Sequence, residues 1–183
     1  MTEDIKKNKK DIHSLCYLIR KNLTQSECIR LGIAFEKWLG DVIIDNSSLI
    51  NIKNKNKKGI RERDHLFICH KRKKVYYAEL KANINLDTEK SKSTISKCLE
   101  ISEELKKEYI EYDIRWCLVG FRFLTYSDMP SNIQNKYENI KNNFFGINQY
   151  LKMLDVNLEF TEERYSMILN LISDTCFTTT HNS

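Results

Sequence analysis

The chain has 183 residues, enough for one domain with a proper core and too few for two full ones. Its 41% hydrophobic and 30% charged residues give an ordinary globular balance, and a net charge of +5 with a pI near 8.8 permits a polyanionic partner without requiring one. The six cysteines are scattered with no CxxC and no Cys/His pair at zinc spacing, so they read as small buried hydrophobes.

The N-terminal MTEDIKKNKKD has no apolar core of the kind a signal peptide needs, and no run reaches membrane-spanning length. The expectation is a reducing, cytoplasmic compartment and no membrane partner. Segment 11–22, DIHSLCYLIRKN, spaces Ile12, Leu15, Cys16 and Ile19 as a helix with one buried face. Thr24 and Glu27 then form a capping-box pattern that opens a second helix running to about Ile44.

On a 100° wheel that helix puts Ile29, Gly32, Ile33, Leu39, Gly40 and Ile43 on one stripe. Glu36 falls in the middle of it, with Gly32 and Gly40 one turn either side. A buried carboxylate is costly, and small neighbours leave room for a backbone, a water or a metal-bound water. The alternative is a salt-bridged Glu at the helix rim.

SSLINIK reads as a short strand, followed by the basic, Asn-rich loop KNKNKKG. Next, RERDHLFICHKRKKVYYAELK, residues 61–81, reads as two strands joined by a basic turn. Strand side chains alternate, so Glu79 and Lys81 share a face with Tyr77 and Val75, and Asp64 shares one with Leu66 and Ile68. A two-residue loop places Asp64 opposite Glu79, and a four-residue loop from Lys71 to Lys74 places it opposite Lys81. Either even loop gathers all three polar groups on one face, whereas an odd loop scatters them.

Segment 86–112 has Ile95, Cys98, Leu99, Leu105 and Tyr109 at helical spacing, capped near Asp87 or Thr88. DIRWCLVGFRFLTY, residues 113–126, has the unbroken β-branched and aromatic content of a central strand. Beyond Pro130 the chain reads as helical pieces, clearest in FFGINQYLKML and in TEERYSMILNLIS, the latter opening at a Thr161 cap. The expected fold is α/β: a mixed central sheet of about four strands flanked by helices. It forms a single domain, 1–183, with its core at about 24–126 and a helical part at 127–183 for recognition or dimerisation.

Two adjacent carboxylates repel each other, and one takes up a proton unless a cation lies between them. Mg²⁺ suits oxygen ligands and needs only one or two carboxylates, with waters and substrate phosphate completing its shell. A lysine beside such a ligand can orient or deprotonate the attacking water, or offset charge in the transition state. The competing explanation is a hairpin salt bridge on a solvated face.

GIAFEKWL, then RDHLF, then YYAELK, together resemble the PD-(D/E)xK nuclease superfamily, and ELKANINLDTEKSKST resembles small Type II restriction endonucleases. The helix–strand–strand–strand–helix–strand order matches that core over Thr24 to Tyr126, although Arg63 stands where the motif has Pro. The resemblance implies a restriction-endonuclease-like core and hydrolysis of double-stranded DNA to 5′-phosphate and 3′-hydroxyl ends. Mg²⁺ would be the cofactor, with Mn²⁺ substituting. Asp64 and Glu79 would be metal ligands, Lys81 the catalytic lysine, and Glu36 a catalytic carboxylate serving a second or transient metal. It further implies a homodimer and a cognate DNA methyltransferase encoded nearby. A junction resolvase or repair nuclease on the same core, and a non-catalytic nucleic-acid-binding module, are the competing functions.

For holding DNA, the next helix begins beside the proposed site, so its N-terminal amides can accept a phosphate. Lys90 and Lys92 add charge there, and Asn83 and Asn85 lie in the segment leading to it. Loop 53–58 and the turn Lys71 to Lys74 are candidate phosphate contacts if they flank the site. NNFFGINQY offers Asn148 and Gln149, with Asn142 and Asn143, as base readers around a flexible Gly146; the alternative is a capping loop with the phenylalanines in the core.

Overall fold

The computed structural model describes residues 25–52, 62–82, 84 and 88–178. The expected helix at 11–22, the Thr24 cap and the basic loop 53–59 lie outside those residues, as do Asn83 and Asn85. Helix α1 (Gln25–Asp45) leads into a two-residue strand β1 (Ile50–Asn51), then β2 (His65–Cys69) and β3 (Lys74–Lys81). Helix α2 (Thr88–Glu108) crosses to β4 (Asp113–Gly120). A 3-10 turn (Tyr126–Asp128), α3 (Ser131–Lys136) and a second 3-10 stretch (Glu138–Asn143) lead to β5 (Phe144–Phe145). Helices α4 (Ile147–Met153) and α5 (Glu162–Thr178) complete the chain.

The result is a mixed α/β architecture around one five-stranded sheet in the order β1-β2-β3-β4-β5. The first three strands form an antiparallel meander, and β4 and β5 each join parallel after a crossover. Parallel neighbours require such crossovers, and α2 supplies the first. The fifth strand differs from the expectation: Phe144 and Phe145 extend the sheet beside Leu118 and Val119 instead of starting a helix. Phe144 is fully buried against Tyr137 and Tyr126, and a half-exposed helical turn could not bury that ring so completely.

Alternation along the strands divides the interior in two. His65, Phe67, Cys69, Tyr76, Ala78 and Leu80 belong to the layer covered by α1, α4 and α5. Leu66, Ile68, Val75 and Tyr77 pack beneath α2 with Cys98, Ile101 and Leu105. Cys69, Cys98 and Cys117 are buried free thiols, as their apolar settings predict. Among the described residues no helix is long and apolar enough to cross a membrane.

Helix α1 is rotated from the stripe read on the wheel. Leu31, Phe35, Leu39 and Ile43 form its buried face, while Ile29 and Ile33 are 56% and 62% exposed. A fully buried ring decides the rotation: Phe35 stacks on Phe121 at 4.2 Å and meets Tyr165 edge-on, burying more area than either isoleucine could. Glu36, next to Phe35, therefore sits at the margin of the buried face. Gly40 packs against His65 and Asn51, and Gly32 faces open space.

Strand β4 stops at Gly120, short of Tyr126. Phe123 N–H closes a turn onto the Gly120 carbonyl at 3.1 Å, sending Phe121 and Phe123 into different core clusters. Gly146 is a fixed point instead of a flexible one. A Cβ there would lie 2.5 Å from the backbone of Leu124 and Thr125, so only glycine admits this approach. Thr161 caps α5 as expected, its Oγ1 accepting from Arg164 N–H at 3.3 Å.

Candidate active site

The β2–β3 pairing fixes who faces whom. Cys69 pairs with Lys74 and His65 with Ala78 across a four-residue turn, His70 to Lys73, with Lys73 at φ 47°. Continued by one residue, that register sets Asp64 opposite Glu79, the even-loop outcome. Glu79, Lys81 and Tyr77 share the face covered by α2, and Asp64 enters the same face in line with Leu66 and Ile68.

Glu79 is 2% exposed and makes the hairpin salt bridge of the competing explanation, with a partner, Lys81, that is partly exposed. Burial favours the neutral acid, yet hydrogen bonds and charge from Lys81 and Lys97 outweigh it and hold the carboxyl below its ordinary value. Lys81 Nζ lies 2.8 Å from Oε1. Lys97 Nζ, from α2, reaches both oxygens at 2.8 and 2.7 Å. The Tyr77 hydroxyl donates to Oε2 at 2.9 Å. Lys81 is itself held above its usual value: burial pulls it down, but its bond to Glu79 and the nearby Asp64 prevail, so it is a cation.

Asp64 accepts the Leu80 amide at 2.7 Å through Oδ2. Burial, then the Glu79 charge, push it up to about 6 against that bond and the two lysines. Glu36 rises to about 7, chiefly through burial and then through the charges of Asp64, Glu62 and Glu79, with Lys81 opposing. The Glu36 carboxyl on α1 thus lies in the same field as the hairpin pair, although its helix covers the other side of the sheet.

A clamp holds α1 there. His65 Nε2–H donates to the Glu36 carbonyl at 2.9 Å, and the Tyr150 hydroxyl donates to Nδ1 at 3.0 Å. A carbonyl can only accept, so the proton sits on Nε2. Burial pushes His65 down to about 4, and the ring is neutral at physiological pH.

Arg63, in place of the motif's Pro, is largely buried and ties the start of β2 to Glu104 and Glu108 of α2 at 3.5 and 3.7 Å. Lys90 and Lys92 are exposed on the first turns of α2, about 10 and 8 Å along its axis from Lys97. The turn Lys71 to Lys74 does not flank the site. It lies at the other end of β3, about 23 Å from Lys81, with Arg72 bound to Asp155 and Lys73 to Glu111.

Asn148 and Gln149 are occupied locally. Asn148 exchanges two bonds with the Phe160 backbone at 2.8 and 2.9 Å, and Gln149 Oε1 accepts the amides of Tyr126 and Gly146. Asn143 likewise donates to the Trp116 carbonyl at 2.8 Å. These amides close loops, and base reading would require breaking those bonds. Asn148 and Gln149 line a surface groove of about 640 Å³ together with Lys152, Asp155 and Glu159.

Lys97, Tyr77 and His65 are the participants that the sequence reading did not assign. Lys97 precedes the buried Cys98 and lies one turn before the buried Ile101, which places it at the edge of the face of α2 that meets the sheet. Among the described residues no three His, Cys, Asp or Glu side chains are preassembled as a metal cage. The donor set still suits a hard divalent cation: two oxygen ligands on one face, one with elevated proton affinity, and a third carboxylate in the same field. No family model matches the chain, and neither a curated protein nor a solved structure shows significant similarity to it.

Proposed function

We propose that this chain is a Mg²⁺-dependent endonuclease of double-stranded DNA, with a restriction-endonuclease-like core of the PD-(D/E)xK type. The observation that carries this reading is the grouping of Asp64, Glu79 and Lys81 on one hairpin face, with Glu36 in the same electrostatic field. Two carboxylates beside a lysine, two of the three acids with raised proton affinity, are a composition found at functional sites.

Asp64 and Glu79 would hold the ion, with Glu36 at its margin. When bound, the cation lowers the pKa of the attacking water and neutralises charge developing on the phosphate. Lys81, ion-paired and charged, offsets phosphate charge and orients the water; its raised proton affinity disfavours a role as base. Water adds to phosphorus in line and releases a proton to solvent, the P–O3′ bond breaks, and the departing 3′-oxygen takes a proton from solvent, which leaves a 5′-phosphate and a 3′-hydroxyl. Lys90 and Lys92 supply sequence-independent phosphate contacts. A symmetric dimer acting in the cytoplasm on a palindromic site completes the proposal.

The test is incubation of the purified chain with long double-stranded DNA and Mg²⁺, followed by electrophoresis. Discrete fragments are expected, with Asp64→Asn and Glu79→Ala each lowering the rate by about 10³-fold or more. Undiminished cutting by Glu79→Ala would overturn the site. Cleavage confined to four-way junctions would indicate a resolvase, and binding without cleavage a non-catalytic module.

A further inference from the structure

Glu79 cannot bind a metal in the arrangement described without losing a partner. A carboxylate offers about four acceptor positions. Tyr77, Lys81 and the two contacts of Lys97 fill them, and Lys97 chelates both oxygens at 2.8 and 2.7 Å, the place that an ion shared by this carboxylate would take.

The two lysines have the same four-carbon stem and similar exposure, 34% for Lys81 and 28% for Lys97, and differ in where they sit. Lys81, on β3, touches Oε1 alone. Lys97, on α2, bridges both oxygens and lines an open polar cleft of about 420 Å³ with Ser93, Ser96 and Glu100, into which its ammonium can swing. The Ser96 hydroxyl is bound to Glu100 at 2.8 Å, so the Glu100 end disfavours an anion. Ser93 marks the other end, one turn of α2 before Lys97.

We infer that Lys97 is a displaceable counter-ion: it fills the cation position on Glu79 in the metal-free protein, yields it to an entering divalent ion, and turns its ammonium to a DNA phosphate at the Ser93 end of the cleft. This role rests on the nuclease reading and adds a residue to it. Exchange of one cation for another keeps Glu79 charge-compensated throughout, so the buried carboxylate is never left bare. It also couples the two halves of the site, because the phosphate-facing cation is released only when the metal is in place.

The test uses Mn²⁺ alone, without DNA, titrated by calorimetry at pH 8 into the wild-type chain, Lys97→Met and Lys97→Arg. Lys97→Met keeps the stem and removes the competitor, so its dissociation constant should fall at least about threefold, while Lys97→Arg stays near or above wild type. On DNA the same Met variant should cut about tenfold or more slowly despite binding metal more tightly. Equal Mn²⁺ affinity in wild type and Lys97→Met overturns the inference and leaves the nuclease reading standing. Absence of Mn²⁺ binding in all three removes the nuclease reading itself. Should Lys97→Met not fold, NMR of the ¹³C-dimethylated lysines in wild-type protein decides: the Lys97 signal should shift on adding Mg²⁺, and a stationary signal overturns the exchange.

Discussion

Glu79 shows how a single carboxylate is kept ionised in an interior that favours the neutral acid. Two ammonium groups hold it low, while burial, reinforced by the neighbouring carboxylates, pushes Asp64 up to about 6 and Glu36 up to about 7. A metal must compete with those protons. Because both values are raised, the competition is weak above pH 7 and grows as pH falls through 7 and 6. Mn²⁺ affinity should therefore drop by about tenfold per pH unit below pH 6 for each proton displaced, with proton release measurable in weakly buffered calorimetry. An affinity independent of pH between 8 and 5 would count against these ligands. At this scale the shared face of Asp64, Glu79 and Lys81 was legible because strand alternation is a local signal, whereas Glu36 was expected mid-stripe and lies at the margin of the buried face. Lys97 and His65 were not legible, since their partners lie 18 and 29 residues away and depend on how the helices dock.

The elements explain why the site is rigid on one side and adjustable on the other. His65 binds α1 and α4 to β2 through two hydrogen bonds in a dry interior. Tyr150→Phe would leave Nδ1 buried and unpaired, so it should cost about 1–3 kcal/mol in urea denaturation. Gly146→Ala should be worse: a methyl group 2.5 Å from backbone atoms must push β5 and α4 away from the Leu124 turn, and a loss of about 2 kcal/mol or more is expected. Helices α1 and α2, the hairpin and the start of β4 were readable from caps, periodicity and β-branched content. The rotation of α1 was not, because Ile29 and Ile33 satisfy the same wheel as Leu31 and Phe35, and only the partner Phe121 breaks the tie. Phe144–Phe145 were misread as helical because a two-residue strand has no period of its own and exists only beside Leu118 and Val119.

In the whole molecule, three carboxylates meet two lysines at one end of the sheet, in a chain that is basic as a whole, with a net charge of +5. A cation bound there should stabilise the fold by mass action. At ten times its dissociation constant Mg²⁺ adds about 1.4 kcal/mol, or about 3 °C in Tm for a chain of this size. Glu79→Ala should lose that increment, which differential scanning fluorimetry can read without any substrate. The mixed α/β layering was legible because helical and strand segments alternate. The fifth strand and the paired cores were not, since both depend on crossovers that bring distant segments side by side.

The turn from His70 to Lys73 touches no proposed ligand, yet it sets the parity of everything upstream. Adding a single amino acid there would send Asp64 to the α1 side of the ribbon and abolish its partnership with Glu79, whereas adding two would merely slide it along the same side. Indel tolerance at this remote bend should therefore alternate between odd and even lengths, a fingerprint that chemistry at the far end of the strands imposes on a surface loop.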